Sequence, residues 1–171
     1  AGLVLTTVLP LLVFPLDGLV ASMEDDAFYY LQIARNVVAG SGFTFDGIHS
    51  TNGFQPLWLF TLVPLELVAG RTAWFLYLVM AVQGFMVAAA GTLLYRIAAQ
   101  RLGRLAGACS AFSLVATQDG LAILRCGMES SLLVLLLAVA WWLWLETEED
   151  LPRAPRRVEA IRFLLQLFGP A

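Results

Sequence analysis

The chain has 171 residues, 60% of them hydrophobic and 13% charged, with a mean hydropathy of +0.79. Soluble domains run near 45–50% apolar and about 25% charged, so the composition excludes a water-soluble globular domain and a disordered chain alike. Two cysteines, Cys109 and Cys126, exclude a disulfide-stapled scaffold. The ten basic residues, all arginine, stand against thirteen acids for a net charge of -3, and no basic tract follows a nucleic-acid backbone.

In chain order, Ala1–Leu16 carries no charge before Asp17 and reads as most of a first membrane span over 1–20. A large first outer loop over 21–72 follows. It opens on Glu24, Asp25 and Asp26, and Tyr30, Ile33, Ala34 and Val37 then recur at helical spacing, predicting an amphipathic helix over 26–39. Gly40 and Gly42 stop that helix. Phe43-Thr44-Phe45 is extended, and Asp46-Gly47 signals a turn. The apolar run that follows contains Pro64 and Glu66, too short and broken to span, and predicts an interfacial or re-entrant helix over 56–69. Further spans are expected over 73–97, 104–120 and 130–146, with a second outer loop over 119–129. Trp141, Trp142 and Trp144 anchor the last of these at the interface. A cytoplasmic loop over 147–157 leads to the start of another helix at 158–168.

Orientation follows from arginine. Seven of the ten lie either at Arg96, Arg101 and Arg104 or at Arg153, Arg156, Arg157 and Arg162. Both groups fall on the cytoplasmic side provided the 56–69 segment does not cross. On that layout Cys109 and Cys126 lie near opposite ends of one helix, roughly 25 Å apart, and cannot pair. The expected fold class is therefore all-α and integral to the membrane, with about four spanning helices plus interfacial helices in the first outer loop. The chain begins inside one apolar run and ends just after another, so it reads as the N-terminal part of a longer protein.

Chemistry belongs to the outer loops. The acids at 24–26 suit a helix N-terminus, where the macrodipole favours negative charge and Ser22 with Asp25 forms a capping box. They equally sit where a lipid-linked substrate presents its phosphate and first sugar. A carboxylate there can act as a general base on an acceptor hydroxyl, and two adjacent carboxylates can hold a divalent cation against a phosphate. Arg35 lies on the opposite face of the same helix from Asp26 and can pair with lipid phosphate. Arg125 and Glu129 flank Cys126-Gly127-Met128 and read either as a snorkelling arginine and a helix cap or as a phosphate clamp and a second acid. Asp119 with Gly120 reads as a turn, and His49, the single histidine, either as a ligand or acid–base group or, more simply, as an exposed loop residue without a task.

The stretch Glu24-Asp-Asp-Ala-Phe-Tyr-Tyr-Leu-Gln-Ile-Ala-Arg-Asn36, then Gly40-Ser-Gly-Phe-Thr-Phe-Asp46 and Thr51-Asn-Gly-Phe-Gln-Pro-Leu-Trp58, resembles the first outer loop of integral-membrane glycosyltransferases with the GT-C fold. That superfamily includes dolichyl-phosphate-mannose protein mannosyltransferases, lipid A aminoarabinose transferases and mycobacterial arabinofuranosyltransferases. Leu124-Arg-Cys-Gly-Met-Glu-Ser-Ser131 is similar to a second element of many bacterial members, and the resemblance covers nearly the whole chain. It implies that Asp25 is the catalytic base, with Asp26 beside it as support or metal ligand. It implies that Glu129 is the second-loop acid, contributing to the site or, with Asp26, to holding a divalent ion such as Mg or Mn. Arg35 and Arg125 are the candidates for the donor phosphate. The implied donor is a polyprenyl-phosphate-linked sugar, and the implied reaction is inverting transfer to a lipid, glycan or protein acceptor on the outer face of the membrane. The setting this suggests is a bacterial inner (plasma) membrane. The chain departs from the family in being short.

Two other classes compete. A non-catalytic scaffold that binds polyprenyl lipid would keep the loop without the reaction. A transporter would need ionisable groups or broken helices at mid-membrane depth, and there the second span offers only Gln83 and the fourth nothing polar.

Overall fold

A computed structural model describes residues 15–21, 23–116, 123 and 126–150, with backbone alone for 148–150. The helices are α1 (Leu16–Ala21), α2 (Asp25–Val38), α3 (Pro56–Ala69), α4 (Trp74–Leu102), α5 (Arg104–Ala116) and α6 (Ser130–Asp150). No strand occurs among the described residues beyond an isolated antiparallel bridge, Thr44 to Ser50. Most of the expected first span, the 117–120 end of the third, Asp119, Arg125 and everything after 150 lie outside the described residues.

Local chemistry accounts for the helix ends. Pro56 stands in the first turn of α3, where a missing N–H costs nothing. Gly70 ends that helix in the left-handed conformation, φ 62°, its N–H donating to the Glu66 carbonyl. The first residue of α2 is Asp25, and its N-cap is Glu24, which makes no side-chain capping bond. Ser22, the other half of the expected capping box, lies outside the described residues. α4 runs on to Leu102, past the expected 97, because Ala98, Ala99, Gln100 and Arg101 are good helix formers. Hydropathy marks the end of an apolar run, whereas the helix continues through polar residues of adequate propensity.

Gly103, φ 95°, is the whole connection between α4 and α5. The two helices then fold back closely: a Cβ on Gly107 would lie 2.8 Å from both the Ala99 Cβ and the Tyr95 carbonyl oxygen. α6 lies beside α4 and parallel to it. Ser131 hydroxyl meets the Met86 sulfur at 3.9 Å, and further along Trp142 and Glu146 meet the Tyr95–Gln100 turns.

Two helices, Trp74–Leu102 and Ser130–Thr147, are long and apolar enough to cross a membrane, which points to a membrane protein. α6 exposes Leu133, Leu136, Leu137, Trp141, Leu143 and Trp144, an apolar face of the kind that water-soluble monomers rarely leave open. α3 and α5 are apolar but shorter, at 14 and 13 residues.

α2 and α3 pack together, and α3 packs on α4. Their shared core contains Ala27, Tyr30, Leu31, Ile33 and Ala34 from α2, Trp58, Leu59 and Leu62 from α3, and Phe75, Leu76, Val79 and Met80 from α4. Each large apolar side chain buried there contributes about 1.5–3 kcal/mol, which fixes the position of the first turn of α2.

Candidate functional site

The segment Cys126-Gly127-Met128-Glu129 is seated on the start of α2 and held from three sides. The Glu24 N–H donates to the Cys126 carbonyl at 3.2 Å. Trp58 of α3, fully buried, donates its indole N–H to the Gly127 carbonyl at 3.2 Å. Gln83 of α4, also fully buried, donates to the Met128 carbonyl at 2.7 Å. Gly127 makes the close approach possible. Its φ is 73°, and a Cβ there would run into Met23 Cε and lie 2.8 Å from Ala27 Cβ.

This seating brings acids from distant parts of the sequence to one place. Asp25 and Asp26 occupy the first turn of α2. Glu129 precedes α6, its carbonyl accepting the Leu133 N–H at 2.9 Å. Tyr30 is one turn from Asp26 on the same face of α2, and its hydroxyl accepts the Gln55 N–H at 3.2 Å. Burial pushes the Tyr30 phenol above its ordinary value, and the negative charges of Glu129 and Asp26 push it further the same way. Both carboxylates therefore bear on the Tyr30 hydroxyl, and Asp25 adjoins Asp26 in the same first turn. Oε2 of Glu129 is buried with no hydrogen-bond partner among the described residues, whereas Asp25 and Asp26 are exposed. The result is two helix N-termini, which favour anions, with carboxylates at both and one buried oxygen left open.

Arg35 stands elsewhere. Nine residues of helix separate it from Asp26, roughly 13 Å along the axis, and it pairs with Glu66 of α3 at 3.7 Å. Its guanidinium also lies over the Phe75 ring, 5.7 Å from the centroid. Glu66 is fully buried, and burial raises its pKa against the opposing pull of Arg35 and Arg71. The expected partnership of Arg35 with a donor phosphate thus competes with an internal carboxylate. Arg125 lies outside the described residues. Among the described residues, no three His, Cys, Asp or Glu side chains gather as a metal-binding group. Asp26 and Glu129, which both bear on Tyr30, are two carboxylates and would need phosphate oxygens and water to complete the shell of an ion such as Mg.

The rest of the first loop is a platform pinned to α2. Asn36, buried, donates to the Thr44 and Phe45 carbonyls, both at 2.9 Å, and accepts from Gln32. Tyr29 hydrogen-bonds Thr51 and stacks on Phe45 at 4.9 Å, and Phe43 stacks on Phe54 at 5.4 Å. At the tip, Asp46 accepts the Ile48 and His49 amides and the His49 ring nitrogen Nδ1 at 2.7 Å. Those bonds, the ring contact first, hold the Asp46 carboxyl well below the usual range. His49, read as idle, is the partner that closes this turn.

The sequence reading missed the roles of Tyr30, Trp58 and Gln83. Only Gln83 carried a signal, as the single polar side chain in the middle of an apolar span. Comparison with protein families, with curated proteins and with solved structures gives no match.

Proposed function

We propose that this chain is the N-terminal module of a multi-pass membrane glycosyltransferase of GT-C type. It moves a sugar from a polyprenyl-phosphate donor to an acceptor on the outer face of the membrane. The observation that supports this reading most is the seating of Cys126–Glu129 on the first turn of α2, which gathers Asp25, Asp26, Tyr30 and Glu129 beside two helix N-termini. In this reading a carboxylate at the start of α2, Asp25 by the resemblance, takes the proton of the acceptor hydroxyl. The acceptor oxygen bonds to the anomeric carbon from the face opposite the donor phosphate. The carbon–oxygen bond to phosphate breaks, and polyprenyl phosphate leaves with the electron pair, inverting the anomeric centre. A single base suffices, because the leaving phosphate needs positive charge rather than a proton. A divalent ion held by Asp26 and Glu129 would supply that charge when bound, and the helix N-termini add to it. α3, apolar on both its buried and its exposed faces, would lie in the interface, next to a donor whose tail stays in the bilayer.

The test is sugar transfer by the native protein in liposomes, offered a panel of polyprenyl-phosphate-linked sugars. Replacing a general base typically costs 10²–10⁴-fold, so Asp25→Asn is expected to lower transfer by about hundredfold or more while lipid binding persists. Unchanged lipid binding with no transfer by the wild type would favour the scaffold reading instead.

A further inference from the structure

At the far end of α4 from this site, an open groove of about 420 Å³ is lined by Tyr95, Arg96, Ala99 and Gln100 of α4, Arg104 of α5, and Trp142 and Glu146 of α6. From Gln83 to Arg96 is roughly 20 Å of helix, so the groove shares nothing with the acids of the outer loops. Neither Arg96 nor Arg104 forms an ion pair with a described residue, and both are exposed. Glu146 faces the same space and is likewise unpaired among the described residues, and Trp142 is half-buried beside it. Leu102 and Leu105, on either side of the Gly103 turn, are exposed, as are Trp141 and Trp144.

We propose that this groove binds the headgroup of a zwitterionic, amine-bearing phospholipid. The two guanidiniums match a phosphate, which they can engage through several N–H donors from two helices. Glu146 matches a primary ammonium, which brings N–H donors to its carboxylate, and the indole of Trp142 offers a π face to the same cation. A purely anionic headgroup would leave Glu146 without a counter-charge. A choline headgroup carries no N–H for it. The exposed apolar side chains flanking the groove give acyl chains a surface to follow, which favours a lipid over a soluble phosphoamine.

The experiment is lipid retention by native mass spectrometry, using the full chain reconstituted in equal parts phosphatidylethanolamine, phosphatidylglycerol and phosphatidylcholine. The wild type is expected to retain phosphatidylethanolamine preferentially. Arg96→Gln with Arg104→Gln is expected to reduce retention of all three by roughly tenfold, the scale of one lost charge-assisted contact. Glu146→Gln is expected to keep phospholipid bound but to bring phosphatidylglycerol level with phosphatidylethanolamine. All three side chains are exposed, so the variants are expected to fold, with thermal unfolding as the check. Equal retention by the double arginine variant overturns the proposal, as does an unchanged preference in Glu146→Gln. Displacement of the lipid by free O-phosphoethanolamine at comparable concentration would overturn the lipid as the ligand.

Discussion

Gly127 is the residue on which the geometry of the acid-bearing site turns. A Cβ there meets Met23, whose terminal carbon can swing aside, and Ala27, whose Cβ is fixed to α2. The backbone also sits at φ 73°, which an L side chain adopts only with strain. Gly127→Ala is therefore expected to cost about 1–3 kcal/mol and to lift Glu129 away from Tyr30; thermal unfolding and sugar transfer should fall together. Gln83 acts from the opposite side. Gln83→Leu leaves the carbonyl of half-buried Met128 without its donor, at about 1–3 kcal/mol, and a variant as stable as the wild type would show that the bond is not made. Gly127 and Glu129 stood out in the sequence because the Gly-Met-Glu resemblance named them. Tyr30 and Trp58 did not, since an aromatic at helical spacing reads as core, and nothing local says that a hydroxyl or indole N–H will find a partner far along the chain.

At the scale of elements, α2 and α3 are joined by an ion pair between half-buried Arg35 and fully buried Glu66, whose partners compensate each other incompletely. Arg35 Nε and both carboxylate oxygens of Glu66 lack hydrogen bonds within the described residues. Because burial raises Glu66 above its ordinary value of 4.5, the folded chain holds that proton more tightly than the unfolded one. The stability due to protonated Glu66 is then full below 4.5 and is lost as pH rises through the folded value. The stability difference between wild type and Glu66→Gln is expected to vary with pH across that window, measured by thermal unfolding, and a flat difference would contradict it. The helices themselves were well marked in the sequence where chemistry punctuates them: Pro56 and Gly70 bracket α3, and Gly40 follows α2. Glu66 was read only as an interruption of an apolar run. Its pairing with Arg35 depends on how two helices cross, and periodicity within one helix carries no information about that.

Across the whole molecule, apolar helices and a polar cap divide the work. α4 and α6 are long and apolar enough to cross a membrane, α2 and α3 form a layer packed at one end of α4, and Arg96 and Arg104 line a groove at the other. Hydropathy reveals the long helices without any knowledge of packing. The association of the first loop with Cys126–Glu129, about a hundred residues apart in sequence, depends on α5 folding back along α4. The central claim is that Glu129 and the acids at the start of α2 serve one reaction. Its most direct test is the rate of polyprenyl-phosphate release from a polyprenyl-phosphate-linked sugar by the native protein and by Glu129→Gln, each in liposomes. The account predicts that Glu129→Gln slows release by about tenfold or more, in step with the loss caused by Asp26→Asn. Release at the wild-type rate in Glu129→Gln would contradict it.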